Sequence, residues 1–526
     1  MEKLNVSQTI TDVPTIMKKF RNIVEIGLFI CGVFLIVSCS KQIKTTNYYF
    51  DPINGSDSNK GTSEKRPLRS LSKISTLEIR PGDSILLKSG AEFSEEFNLT
   101  CRGSESMPVV IGKYGSHERP VLKGNGKHDA TIHILNSEYL VIRDLEISND
   151  AGKPIPGLHG LWVELRNFGT AHGITIDNLF VHDVTGSCTR TEKDGGHAIL
   201  IQNYHDDKPD TVLSCFDKLT IENCQIKSCS RSGIILWGNW IRSKWKPSTN
   251  VVIRNNILDG VPGDGIVPVG CDGVLVEYNV MKNCPGTLPV TEAADGIWPW
   301  SCDNALIQYN IVSDHKSPVD AYGFDSDWNS TNSVFQYNLS FNNDGGFLLL
   351  CNSGGWTPDW SIGNTGTRVK YNISINDGIR NYKLKEHYFS PVIHCCGPTR
   401  NSVIEKNLFF LFKKPDKMID RTLICLDDWK GYPDSTFFRG NFIVTEESYN
   451  TIILTKSTNT FVDNNLYVGK LSDPLHGFIK YTGVFNKEMW YGKDDENCKK
   501  LIDFIKDKSV TISGREMKVA DIIGLN

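Results

Sequence analysis

The chain has 526 residues, 22% of them charged and 10% aromatic, and a formal net charge of −4. That is a globular composition with length for a large core and no long low-complexity tract. With so small a charge and no Lys/Arg block, binding to nucleic-acid phosphates has no support.

The first 39 residues read differently from the rest. "MKKFRN" (17–22) is a basic segment, "IGLFICGVFLIV" (26–37) an apolar core, and "IVSC" (36–39) ends in a cysteine. This pattern resembles a bacterial lipoprotein signal in which Cys39 is lipidated and becomes the mature N-terminus, with Met17 a start of ordinary length. The competing reading, an uncleaved transmembrane anchor, has too short an apolar run for the roughly 20 residues a span needs, and Glu25 sits beside it. The expectation is a bacterial, envelope-anchored protein that touches the membrane only through its lipid, on either face. Of fifteen cysteines, setting aside Cys31 and Cys39 leaves thirteen, an odd number without CxxC spacing. Free, buried thiols are expected and no metal ligand set is read; "CC" (395–396) is too tight for ordinary ligation.

From residue 140 one phrase recurs, an apolar strand, Asn, and apolar again. It appears in "ITIDNLFV" (Asn178), "LTIENCQI" (Asn223), "VVIRNNIL" (Asn256), "VLVEYNVM" (Asn279) and "ALIQYNIV" (Asn310). Asn338, Asn372, Asn407, Asn441 and Asn465 continue it, and Asp144 takes the same place 34 residues before Asn178. A strand-rich unit repeating at intervals mostly of 23–35 residues, always in one direction, predicts stacked parallel coils about 4.8 Å apart. The Asn side chains are expected to bond one another from coil to coil.

With the opening "YYFDPINGSDSNKGTSEKRPLRSLSKI" (48–74) and "RPGDSILLKSG" (80–90), residues 48–470 resemble the right-handed parallel β-helix proteins of the pectate-lyase-like superfamily. The resemblance implies an all-β solenoid and work on carbohydrate, but no single reaction, since hydrolases, lyases, esterases and binding proteins share this fold. The expected organisation is a signal and lipobox (1–39), an N-terminal cap with first coils (40–130), a β-helix carrying a cleft (131–475), and a C-terminal cap (476–526). In the last segment "KDDENCKKLIDFIKDK" (493–508) has helical spacing.

A second phrase, Gly followed by an apolar residue and alternation, marks another strand of each coil. "GLWVEL" (160–165), "GIILWG" (233–238), "GIVPVG" (265–270), "GIWPWS" (296–301), "GFDSDW" (323–328) and "GFLLLC" (346–351) carry it, and "HAILIQN" (197–203) is an intervening coil. If the residue after Gly points inward, the outward pairs are Trp162/Glu164, Leu200/Gln202, Ile235/Trp237, Val267/Val269, Trp298/Trp300, Asp325/Asp327 and Leu348/Leu350. One residue of slippage after "GIWPWS" is needed against the Asn register.

A carboxylate pair beside flat aromatic faces suits glycosidic cleavage. Asp325 and Asp327 are therefore the expected catalytic pair, assisted by Asp295 or His315, with Trp298, Trp300, Trp237, Trp328 and Asp320 binding substrate. "DSDWN" (325–329) also begins like a calcium loop, but Ser330 and Gln336 replace the Gly and Glu that loop needs. A looser calcium site through Asp325, Asp327 and Asp344 is the competing use, and a corner turn is another; no cofactor is required. Asp264 and Asp295 are expected to cap turns, and "NWIRSKWKP" (239–247) either holds an acidic sugar or is solvated. The leading reading is a monomeric glycoside hydrolase acting on a complex poly- or oligosaccharide. A uronate-directed lyase, which needs a cation beside its base, and a non-catalytic glycan-binding lipoprotein stand as alternatives.

Overall fold

A computed structural model describes residues 44–190, 195–205, 210–381, 389–412, 422–454 and 457–471, with short pieces out to residue 518. The lipoprotein signal and nearly all of the expected 493–508 helix lie outside the described residues.

The chain winds as a right-handed parallel β-helix with three sheets. The first sheet begins with Asn47–Phe50 beside Ser84–Lys88, the second with Glu92–Phe93 beside Val121–Lys123, and the third with Phe97–Leu99 beside Ala130–Leu135. Every coil-to-coil pairing among the described strands is parallel; Ser509–Ile512 with Arg515–Lys518 is an antiparallel pair outside the stack. A 3₁₀ helix, Leu71–Thr76, lays Leu71 and Ile74 into the core next to the first strand of the third sheet.

Alternation along each strand fills the core. On the third sheet Leu161, Ile199, Ile234, Ile266, Ile297 and Phe324 are successive register partners, and all are buried. Each such side chain contributes about 1.5–3 kcal/mol on leaving water.

The Asn ladder runs from Asn256 through Asn279, Asn310, Asn338, Asn372, Asn407 and Asn441 to Asn465. Each Nδ2 donates to the next Oδ1 at 2.9–3.1 Å, and that Oδ1 also accepts the backbone N–H of the Asn before it. Asn178, Asn223 and Asp144 are not in it. They sit one residue early, at left-handed corner positions (φ 54°, 57° and 61°), and Leu145, Leu179 and Cys224 fill the interior places that follow them. Later coils put Tyr278, Tyr309, Tyr337 and Tyr371 at that same corner, where their rings stack 5.1–5.3 Å apart.

The outward pairs of the third sheet are as expected from Trp162/Glu164 to Asp325/Asp327, but the next coil is shifted. Phe324 pairs with Leu348, not Phe347, so Leu348 and Leu350 point into the core while Leu349 and Cys351 face out. A bulge causes this: Phe347 and Leu348 both donate their N–H to the Val392 carbonyl, at 2.7 and 3.2 Å. The slippage expected after "GIWPWS" is also present: Ile297 pairs with Phe324, 27 residues on, but Asp303 pairs with Thr331, 28 residues on, so the aspartate coil carries one extra residue and the bulge is a second irregularity.

Candidate active site

The outer face of the third sheet forms two columns of side chains. One runs Ile235, Val267, Trp298, Asp325, Leu349; the other runs Trp237, Val269, Trp300, Asp327, Cys351. Asp325 and Asp327 thus share one face, and their nearest ligand oxygens lie within 4.8 Å of each other and of Cys351 Sγ.

The two carboxylates have different surroundings. Asp327 is half-buried, and its Oδ1 accepts from Cys351 Sγ at 2.8 Å and from the Trp328 N–H at 2.7 Å, which leaves Oδ2 free to act. Burial raises it to about 6, against the pull of those two donors and of Arg190. Asp325 is 3% exposed and its Oδ1 has no partner among the described residues. Burial, then the charges of Asp327, Asp295 and Asp320, push its carboxyl well above the ordinary range.

Two further aspartates join them. Asp295 is buried with Oδ1 accepting the Tyr322 N–H at 2.6 Å, and burial followed by the Asp320 charge raises it strongly. Asp320 is half-buried; burial raises it too, opposed by Arg190, Arg380 and His394. Its backbone is left-handed (φ 60°), as is that of Ala321 (φ 61°), a conformation that costs non-glycine residues energy and clusters at functional sites. The buried Arg380 guanidinium holds this segment, donating to the carbonyls of Pro318 (2.6 Å) and Asp320 (2.7 Å).

Below the aspartates, Arg190, Arg231, Asp264, Trp237, Trp298 and Trp300 line much of a recess of about 180 Å³. Asp264 is an ion-pair hub rather than a turn cap. It accepts from Arg190 at 3.2 Å, Arg231 at 3.4 Å and Trp298 Nε1 at 3.1 Å. Burial alone would raise it, but the two guanidinium groups bring it below the usual range. Arg231 also pairs with Glu292 at 2.8 Å.

An aromatic cluster closes the other side. Trp300 lies 5.2 Å from Trp237, 5.5 Å from Trp240 and 5.0 Å from Trp328, and Trp328 is 4.1 Å from Trp356. Trp237, Trp300 and Trp328 are half-buried, as a binding surface requires. Trp298 is not a platform: it is 4% exposed, its Nε1 is committed to Asp264, and the Arg190 guanidinium lies 5.4 Å from its ring centre.

His315 is not a proton carrier. It is fully buried, its Nε2 lies 3.0 Å from the Gly263 carbonyl, and its Nδ1 accepts the Ser317 N–H at 3.4 Å. Burial lowers it to about 4, so it is neutral and positions the loop. Asp344 does not join the aspartate pair; it binds Lys316 at 2.7 Å. The group that does converge on Asp325 and Asp327 includes the Cys351 thiol, a poor donor for calcium. The basic insertion is structural: Arg242 forks onto Asp303 at 2.8 and 3.1 Å, and Lys246 Nζ binds the Leu213 carbonyl at 2.8 Å. The twelve described cysteines are unpaired and ten are buried.

Sequence reasoning missed Arg190, Arg231 and Arg380, which arrive from loops without a repeat to place them. It also missed Trp240, Trp356 and Trp360 as parts of the cluster; three tryptophans within "NSGGWTPDWS" (352–361) and the neighbouring "GNW" (238–240) were the available signal.

A family model described as "Right handed beta helix region" matches residues 130–361. A lacto-N-biosidase of Bifidobacterium longum subsp. longum is 28% identical over 422 aligned residues, covering 63% of this chain and 26% of that protein. Crystal structures of the GH136 lacto-N-biosidase from Eubacterium ramulus are similar in fold. The native protein is 23% identical with a TM-score of 0.57 over 72% of this chain and 65% of that one. The selenomethionine derivative is 21% identical with a TM-score of 0.56 over 85% and 68%. The chain thus spans about a quarter of the curated relative and about two thirds of the solved native one.

Proposed function

We propose that this protein is a glycoside hydrolase that cleaves an oligosaccharide at the carboxylate cluster. The observation that carries this is the pairing, on one sheet face, of an accessible carboxylate raised to about 6 with a neighbouring carboxyl that burial and like charges push well above the ordinary range, beside half-buried tryptophans. The likeness to two lacto-N-biosidases supports the same reading, and the substrate of such an enzyme is the first to try.

Of the four clustered aspartates, Asp320 and Asp327 reach solvent, whereas Asp295 and Asp325 lie behind them. In this reading Asp327 takes the nucleophilic role through Oδ2, while Asp320 gives its proton to the leaving glycosidic oxygen and then withdraws one from water. Asp325 and Asp295, both pushed well above the ordinary range by burial, keep the cluster's negative charge low. A second reading makes Asp325 the acid, on the strength of its unpartnered oxygen within 4.8 Å of the Asp327 carboxylate. That spacing leaves no room for water between the two and fits a retaining reaction.

A lyase is less well served. The two arginines at the recess are already committed to Asp264 and Glu292, and neither Arg242 nor Lys246 is free to neutralise a uronate. We also place the protein on the bacterial envelope through lipid on Cys39, as a monomer.

The test is hydrolysis of an oligosaccharide and of an aryl glycoside whose leaving group needs no proton. Asp327→Asn should abolish both. The acid variant, Asp320→Asn in the first reading and Asp325→Asn in the second, should lose the oligosaccharide but keep the aryl glycoside. Full activity in Asp327→Asn removes the assignment, and an ultraviolet-absorbing unsaturated product turns it to the lyase.

A further inference from the structure

The two outer columns do not end at the aspartates. The coils beyond them present His394 and Cys396, then Cys425 and Asp427, with His394 opposite Cys425 and Cys396 opposite Asp427. Strand alternation sends Cys395 into the core, so the "CC" dipeptide offers one thiol, not two, to this face. One ligand atom each from His394, Cys425 and Asp427 lies within 4.8 Å of the others.

His394 and Asp427 form a loose ion pair, with Nε2 3.6 Å from Oδ2. His394 Nε2 is buried and lacks a hydrogen-bond partner among the described residues, and Asp427 Oδ2, at 3.6 Å, is too far to supply one. A buried imidazole nitrogen of this kind costs about 1–3 kcal/mol unless something else binds it. Cys425 is 3% exposed, so its sulfur is shielded from oxidants yet faces the same small space.

We propose that His394, Cys425 and Asp427 form a binding site for one borderline-soft divalent cation of the zinc type, with the fourth position left to water. Nitrogen, sulfur and carboxylate oxygen are the donors Zn²⁺ takes, at about 2.0–2.3 Å, and thiolate sulfur discriminates against calcium and magnesium. Drawing three atoms now within 4.8 Å onto one ion needs only side-chain adjustment. The charges close: a thiolate and a carboxylate balance the dication, and the thiol proton leaves to solvent. The ion would tie the 393–396 strand to the 422–427 strand, two coils from the reactive face.

The experiment adds Co²⁺ to the purified, chelator-stripped full chain and follows thiolate-to-cobalt absorbance. One equivalent should produce the band with about one proton released per ion, and Zn²⁺ should bleach it. Cys425→Ser and His394→Ala should each lose the band, while Cys351→Ser, which alters the thiol beside the Asp pair, should keep it. Circular dichroism identifies any variant that fails to fold, and the two separate losses keep the test decisive. Absence of a stoichiometric band, or a band that survives Cys425→Ser, overturns the site. The readout needs no substrate, so its failure is distinct from failure of the hydrolase reading.

Discussion

The hydrogen bond from Cys351 Sγ to Asp327 Oδ1 can be tested by its effect on proton affinity. The thiol stabilises the carboxylate and not the carboxylic acid, so its removal in Cys351→Ala raises the pKa of Asp327 above its value of about 6. A thiol is a weak donor, and a loss of about 1 kcal/mol corresponds to about 0.7 pH unit. At pH 6 the ionised fraction then falls from about one half to about one sixth, a roughly threefold drop in kcat/KM, while at pH 8 both proteins are almost fully ionised. The assay is the pH dependence of kcat/KM on the cleaved oligosaccharide. The acidic limb should move up by about 0.7 unit with an unchanged plateau. Cys351→Ser, which keeps a donor, should leave the limb in place or move it down. A loss equal at all pH values would mean that Cys351 acts only through packing, and a limb that does not move would refute the nucleophile assignment.

Other outcomes follow from the same geometry. Asn338→Ala strips partners from the Asn310 backbone N–H and Nδ2, and should lower stability by about 2–6 kcal/mol in a denaturant titration. Trp300→Ala should raise KM about tenfold with a smaller change in kcat, since an aromatic stacking surface contributes about 1–1.5 kcal/mol. Asp325→Asn should raise the unfolding midpoint at pH 7, because a carboxyl whose folded pKa is raised costs the fold stability as pH climbs from the unfolded value of about 3.9. That gain should shrink toward pH 4, and a gain independent of pH would refute the linkage. Cys39→Ala should abolish incorporation of a labelled fatty acid, and labelling that persists would rule out that anchor.

Periodic features were legible in the sequence and singular ones were not. Eight of the ten expected Asn residues form the ladder because a side chain that must repeat its bond at every coil leaves a repeating letter. Asn178 and Asn223 carry the same letter for another reason, since asparagine also tolerates a left-handed corner. A register one residue off turns a strand inside out, which is why the Phe347–Leu348 bulge reversed Leu348 and Leu350 while all earlier pairs held. Arg190 and Arg231 come from outside the repeat and meet Asp264 only through the winding of the chain. Trp298 illustrates the remaining limit: alternation correctly aimed it outward, but loop residues then covered it.

The charge balance explains why these parts belong together. Asp264, Glu292, Asp295, Asp320, Asp325 and Asp327 surround two arginines, and so many negative charges in a space this dry cannot all persist. Arg190 and Arg231 are drawn to Asp264 and bring it below the usual range, and burial with the charges of neighbouring aspartates pushes Asp295 and Asp325 well above it. What remains is Asp327, raised by burial to about 6 against the pull of two hydrogen bonds and Arg190, with Asp320, also raised by burial, on a backbone that Arg380 holds in a costly shape. A solenoid wall built only for stability would place one such acid, or none. Four on adjoining coils, raised by burial to different extents and left open to solvent at two points, trade stability for a surface that can both give and take a proton.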